Sequence, residues 1–238
     1  MAGALNGRVI LVTGAAGHLG AAVTTLLASR DAAVVAVDRS PEKLDRLLAG
    51  LDDPARHLCQ GGVDLTDPAA CASLVETAMS RFGRIDGLAS TVGTFAMAGI
   101  DQADPAHWDL LFRANVLTTL GICRAVVPPM RAAGRGSIVT IGAAGAARAG
   151  KATAAYAASK SAVLRLTESL ADELKGQGVR ANCVLPGTID TPPNRADMPK
   201  ADTSRWVSPA QVAEVILFLL SDAASGVTGT AVPVTGRS

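Results

Sequence analysis

The sequence is poor in charge and has no lysine or arginine run. Of its 238 residues 18% are Asp, Glu, Lys or Arg, and the formal charge is +1. That excludes the basic footprint of a nucleic-acid surface and a polybasic membrane patch. The four cysteines, Cys59, Cys71, Cys123 and Cys183, form no C-x-x-C pair, and no His stands at ligand spacing. No metal site is therefore expected, and the thiols are read as free in a reducing compartment. Residues 1–8 lack a basic start followed by an apolar run, so no secretory signal is read there. The longest apolar run, Val215 to Leu220 with Val212 and Ala213 just before it, is far too short to span a bilayer. No repeat and no Gly/Ser-rich linker divides the chain. These absences leave a single cytoplasmic domain over residues 1–238, and the 49% hydrophobic content supplies a large core.

What is present alternates strand and helix. Arg8 to Thr13 and Ala33 to Asp38 are continuous apolar runs, as in strands buried on both faces. Further strands are read ending near Val63, over Ile85–Ser90, Ser137–Ile141 and Val179–Leu185, and over the short stretch Ala231–Val234. Helices are read from His18 to Ser29, from Pro41 behind a Ser40 cap to Leu51, and from Asp67 to Phe82 with a stop at Gly83. Others run from Asp104-Pro105 to about Arg131, from Thr153 to Lys175, and from Pro209 to Ser221. This spacing implies right-handed crossovers and an α/β fold. The expected architecture is a Rossmann-type doubly wound parallel sheet of about seven strands with helices on both faces. The polar segment from Pro192 to Val207 has three prolines and breaks the alternation. A substrate lid is expected there, at about 190–207.

Three groups of residues point to chemistry. Tyr156 and Lys160 are four apart on one helix face, where an ammonium can lower a phenol's pKa and make it a proton donor or acceptor. Thr13-Gly14-Ala15-Ala16-Gly17-His18-Leu19-Gly20 follows the first strand and opens a helix. Gly14 suits the tight turn, Gly17 the approach of a pyrophosphate, and Gly20 the packing of helix on strand. Asp38 ends the second strand, where a carboxylate can bind the adenosine ribose diol and repel a 2′-phosphate, favouring NAD(H). Arg39 beside it keeps NADP(H) possible. Asp64 suits either the adenine amino group or a turn with Thr66 and Asp67. His18 either nears the pyrophosphate or faces solvent.

Together these residues resemble the short-chain dehydrogenase/reductase family over nearly the whole chain, from Thr13 to Gly229. The match includes Asn115, Pro186-Gly187-Thr188-Ile189-Asp190-Thr191 and Val227-Thr228-Gly229. The resemblance implies a cofactor set of Gly14, Gly17, Leu19, Gly20, Asp38, Arg39, Asp64, Leu65, Gly93, Tyr156, Lys160, Pro186, Gly187, Ile189 and Thr191. Ile189 and Thr191 would contact the nicotinamide carboxamide, and Lys160 the nicotinamide ribose. Tyr156, Lys160 and Asn115 form the implied catalytic set. Asn115 either holds a relay water or bends its helix. The resemblance also implies a tetramer or dimer that pairs the helices at 105–131 and 153–175. The second of these carries Ala154, Ala155, Ala157, Ala158 and Ala162, which permit close approach.

Three departures stand out. The Gly turn has His18 where many relatives have Gly, and Ser90-Thr91-Val92-Gly93 replaces Asn-Asn-Ala-Gly. The third is the hydroxyl normally 13 residues before the Tyr, because Ala143 stands there. Ser137 is about 20 Å away at strand rise, and Thr140 is expected to face elsewhere. The dihydropteridine reductase branch of the family is similar in lacking that Ser, and its segment after strand six resembles Asp190 to Asp202 with Trp206. Asn194, Arg195 and Trp206 equally suit plain packing and capping. Three functions are open at this point: an NAD(H)-dependent reductase of activated, quinonoid acceptors; a 3-oxoacyl or ketone reductase with a replacement donor; and a dinucleotide-binding sensor or assembly subunit.

Overall fold

The continuous apolar runs become the centre of one sheet. In the computed structural model, which describes residues 5–237, β1 (Val9–Thr13) is buried at every position. It pairs in parallel with β2 (Ala33–Asp38) and β4 (Gly87–Ser90). Outside them lie β3 (Leu58–Gly61), β5 (Gly136–Ile141), β6 (Val179–Pro186) and β7 (Ala231–Val234). All pairings are parallel, and the order is β3-β2-β1-β4-β5-β6-β7. The doubly wound seven-stranded sheet expected from the sequence is the observed one. Met1 to Ala4, part of the N-terminal stretch read above, and Ser238 lie outside the described residues.

Strand periodicity divides the core into two layers. Ile10, Val12, Val34 and Ala36 pack with α1 (His18–Ala28) and α8 (Pro209–Leu220) on one face. Val9, Leu11, Val35 and Val37 pack on the other face with α3 (Pro68–Phe82), α5 (Thr118–Ala132) and α6 (Ala154–Leu174). Start signals work as the sequence suggests at α3, where Asp67 Oδ1 accepts from Ala69 N at 2.9 Å and Gly83 ends the helix at φ 70°. At α8 a full capping box joins Ser208 and Gln211. At α2 (Pro41–Ala49) the reading needs correction. Ser40 occupies the cap position, but its hydroxyl donates to Glu42 Oε2 at 3.0 Å and accepts from no helix backbone N–H.

The long helix is also not continuous. α4 (Pro105–Phe112) passes into α5 through a π turn at Arg113–Leu117, an insertion that re-aims the side chains within it. The 28-residue helical stretch 105–132 is also apolar enough to cross a bilayer by length and composition, with a window of mean hydropathy 1.5. It overtakes 215–220 as the most apolar long segment, and 39% of that window is buried within the chain. The segment after β6 is not wholly irregular: Thr191 Oγ1 caps a short helix, α7 (Pro192–Asp197). Ile189 forms a parallel bridge to Val207, so the two ends of the segment are tied together.

Candidate active site

Ligands of open α/β sheets sit outside the carboxyl ends of the strands, where the strand order reverses. Here that point lies between β1 and β4, and the loops after both meet there. Thr91 Oγ1 donates to Thr13 O at 2.7 Å. Gly14 has φ 66°, and a Cβ on it would lie 3.1 Å from the backbone N of Val92. A Cβ on Gly20 would lie 2.0 Å from Gly14 O, so glycine there is dictated by contact of helix and turn. At Gly17 the added Cβ would meet Gly14 O at 3.2 Å. No side chain caps α1, and its leading N–H groups are left to face an anion.

Asp38 has a second role that the sequence did not disclose. Its Oδ2 accepts from Ala16 N at 3.0 Å and its Oδ1 from Ser40 N at 3.2 Å. The carboxylate thus clamps the Gly turn to the end of β2, and retains lone pairs for a ribose diol. Arg39 is exposed beside it. Asp64 Oδ1 accepts from the backbone N and the hydroxyl of Thr66 at 2.9 and 2.8 Å. These bonds hold its carboxyl below the usual carboxylate range, so the turn reading is realised. Leu65 is buried, and its carbonyl accepts from Cys71 Sγ at 3.4 Å. His18 faces solvent.

Tyr156 and Lys160 line one cavity, and Asn115 meets Lys160 across Gly93. Lys160 is 5% exposed and donates from Nζ to Ile141 O at 2.9 Å. A Cβ on Gly93 would lie 2.9 Å from both Lys160 Nζ and Asn115 Oδ1, so a side chain there would push on both groups. Asn115 sits in the π turn and is fully buried. Its Nδ2 donates to Thr94 O at 3.1 Å and to Ser159 Oγ at 2.9 Å, while its Oδ1 accepts from Thr94 N at 2.7 Å. Both amide N–H groups are therefore engaged by protein. The side chain is a strap between α6 and the loop after β4, and the relay expectation does not extend to its N–H groups.

The expected pKa order is reversed. Burial pushes the Tyr156 phenol up to about 12. Burial also pulls Lys160 down to about 8, because desolvation disfavours the charged form of each. The i,i+4 ammonium does not lower the phenol in this arrangement; desolvation wins.

Ala143 lines the cavity beside Tyr156 and Lys160. Neighbouring hydroxyls do not replace a serine there. Thr140 Oγ1 is bonded to Thr167 Oγ1 at 2.7 Å, and Ser137 Oγ to Leu219 O at 2.8 Å. Position 142 cannot supply one either, since a Cβ there would lie 2.5 Å from Leu185 Cδ2. The cavity, about 500 Å³, is also lined by Leu19, Gly93, Pro186, Gly187 and Ile189. Thr191 is not among its lining residues and caps α7 instead. Asn194 Nδ2 donates to Ile189 O at 2.8 Å, and Arg195 is paired in two bonds with Asp190. Both perform the packing and capping roles weighed above.

The sequence reading missed Phe95, Thr94 and Ser159. Phe95 packs edge-on against Tyr156 with ring centroids 4.7 Å apart. Its loop position carries no periodic signal. Ser159, inside the Tyr156–Lys160 segment, donates to Tyr156 O at 2.7 Å while accepting from Asn115. It was legible as a polar residue three places along one helix face. Among the described residues the cysteines are free, and no group of three His, Cys, Asp or Glu side chains is placed to hold a metal.

Residues 8–202 match the short chain dehydrogenase family. A 3-oxoacyl-[acyl-carrier-protein] reductase of Thermotoga maritima is 34% identical over 98% of this chain and 98% of its own. A cis-4-hydroxycyclohexanecarboxylate dehydrogenase of Sinomonas cyclohexanicum is 37% identical over 96% of this chain and 95% of its own. Among solved structures, NAD+-bound xylitol dehydrogenase superposes with a TM-score of 0.90 at 25% identity, covering 98% of this chain and 99% of that one.

Proposed function

The chain belongs to the short chain dehydrogenase family and is an oxidoreductase of the NAD(P)-dependent type. From that premise we propose that it is a reductase, preferring NAD(H), that passes hydride to a carbonyl or quinonoid acceptor with Tyr156 as proton donor. The residues fit such a cofactor: the turn at Gly14, Gly17 and Gly20 closes tightly on its own backbone with no side chain over it, and α1 presents uncapped N–H groups. Gly14, Gly17, Leu19 and Gly20 would hold the pyrophosphate, Asp38 with Arg39 the adenosine ribose, and Asp64 with Leu65 would flank the adenine. Gly93, Pro186, Gly187 and Ile189 would border the nicotinamide, with Thr191 behind them capping α7. When bound, the reduced nicotinamide supplies the hydride.

The chain's own part is proton supply and positioning. Burial pushes the Tyr156 phenol up to about 12 in the free site, which leaves it protonated at neutral pH, and that proton passes from its Oη to the acceptor oxygen. Solvent then restores it. Lys160, anchored at Ile141 O, would hold the nicotinamide ribose with its remaining N–H groups. Asn115 is a positioning residue that fixes the loop at Thr94 against α6.

The observation that carries the choice of acceptor is Ala143. One donor at the reacting oxygen is absent, and loss of such a donor typically costs about 2.7–4 kcal/mol of transition-state stabilisation. An acceptor that is already a strong oxidant needs less help. The likeness of Asp190 to Asp202 to the dihydropteridine reductase branch supports the same reading, with 190–207 as a lid. The Thermotoga relative favours a second reading, a 3-oxoacyl or ketone reductase. Oxidation of NADH by purified protein separates them. Turnover of a quinonoid dihydropterin and a simple quinone, but not of an acetoacetyl thioester, supports the first; thioester reduction supports the second. NADH binding with no turnover on any of the three would mean a sensor or assembly subunit.

We also propose a homodimer or tetramer in the cytoplasm. Ala155 and Ala157 are buried within the subunit, which leaves Ala154, Ala158 and Ala162 as a small-residue stripe. Leu110 and Leu117 are exposed on the neighbouring helices. A monomeric elution volume would overturn this.

A further inference from the structure

The cavity has two unlike walls. The Gly-rich turn and the Pro-Gly loop form one, and the proposed cofactor occupies that side. Phe95, Ala143, Ala144, Gly145 and Met198 supply most of the remaining apolar lining, beside the hydroxyls of Thr94 and Thr188. The cavity presents no carboxylate, and the only ammonium or guanidinium in the whole lining is Lys160, already anchored at Ile141 O. The amide of Asn194, which also lines the cavity, is turned to Ile189 O.

Apolar surface continues out of this wall. Phe95 is 51% exposed and Met198 39%. Met97 and Ile100 extend the strip along the same loop, and both are exposed. Four of the seven large hydrophobic side chains exposed among the described residues thus lie on the two segments that flank the cavity mouth. An apolar strip that leads into a concave site marks a place where apolar surface is buried on binding. The loop that bears it is fixed, since Ala98 N donates to Ala152 O at 3.0 Å. Phe95 is held edge-on against Tyr156, so a flat ring beside Tyr156 meets an aromatic neighbour at contact distance. Met198, just beyond α7, lines the same cavity with an adaptable thioether side chain.

Building on the reductase reading above, we propose that the acceptor is an uncharged, apolar ring ketone or quinone, gripped between Phe95 and Met198. Its reaction is a two-electron reduction. The acceptor gains one hydride from NADH and one proton from Tyr156, and NAD+ and the hydroquinone or alcohol leave. Substrates with a charged group near the reacting oxygen find no matching charge in this lining beyond Lys160. Phe95 and Met198 are specificity residues.

Two naphthoquinones that differ by one charge test this: 2-methyl-1,4-naphthoquinone and 1,4-naphthoquinone-2-sulfonate. Calorimetry measures binding of each to the NAD+-loaded protein, and NADH oxidation measures KM and kcat. The methyl compound is expected to bind at least tenfold more tightly. Phe95→Ser and Met198→Ser should each weaken it about tenfold, mainly through KM, with the affinity for NADH unchanged. Both side chains are substantially exposed, so both variants keep the fold. Equal or tighter binding of the sulfonate, or binding of the methyl compound unchanged in both variants, would overturn the proposal. The two readings fail separately. Ring binding that depends on Phe95 but brings no NADH oxidation defeats the reductase reading alone. Reduction of charged acceptors in preference to the methyl compound defeats the apolar wall alone.

Discussion

Substitution of Ala143 by Ser isolates one hydroxyl. Ala143 has extended backbone, φ −161° and ψ 158°, a conformation serine adopts without strain. It is 8% exposed and borders the cavity that holds Tyr156, so the new hydroxyl faces the site and not the core. A donor at this position is worth about 2.7–4 kcal/mol where charge develops on oxygen. At 1.36 kcal/mol per decade that is roughly a hundred- to thousandfold in kcat. The gain should appear with an unactivated ketone such as an acetoacetyl thioester. With a quinone it should stay within a few-fold, because less charge needs stabilising there. The assay is NADH oxidation on both acceptors, with circular dichroism to show the fold is kept. A well-folded variant whose ketone turnover rises less than threefold would refute the reasoning. It would mean that another group already supplies the missing donor.

Three further outcomes follow from the geometry. Gly20→Ala should lower the thermal midpoint and abolish measurable NADH binding, because its Cβ would fall 2.0 Å from Gly14 O and overpacking costs about 1–3 kcal/mol or more; fluorescence titration and melting read both. Asp38→Ala should weaken NADH binding and narrow its advantage over NADPH, while also loosening the turn that Asp38 holds through Ala16 N; affinities for the two cofactors check it. His57 is buried, accepts from Val34 N at 3.1 Å, and has its pKa lowered from 6.5 chiefly by desolvation. The unfolded chain therefore binds a proton first as pH falls below about 6.5, and stability drops from there through the lowered folded value. Urea midpoints from pH 8 to 5 should show this slope in the native protein and a flatter one in His57→Gln.

Much of the scaffold was legible because burial on both faces leaves continuous apolar runs, and β2 and α3 appear at the residues the pattern marks. The Gly turn was legible because contact geometry, not propensity, fixes Gly14 and Gly20. The π turn was not. Arg113 to Leu117 contain neither Gly nor Pro, and the widened turn is stabilised by bonds that Asn115 makes to a distant loop. The Tyr156 pKa was misread for a related reason, since an i,i+4 rule describes a helix surface and this phenol lies within a packed site. In the segment after β6, Thr191-Pro192 carries the same start signal as Asp67-Pro68. Three nearby prolines set the segment apart from the strand–helix alternation, whereas two of them occupy the first turn of α7, where no N–H is needed.

Phe95 leans on the ring of Tyr156, and Tyr156 is the chain's single tyrosine. Phenolate absorbance in this protein has therefore one source. A spectrophotometric titration of the wild-type chain reads the ionisation of the proposed proton donor directly, without labels and without subtracting a background of other phenols. Repeated with the dinucleotide bound, the same titration measures how far a ligand moves that proton.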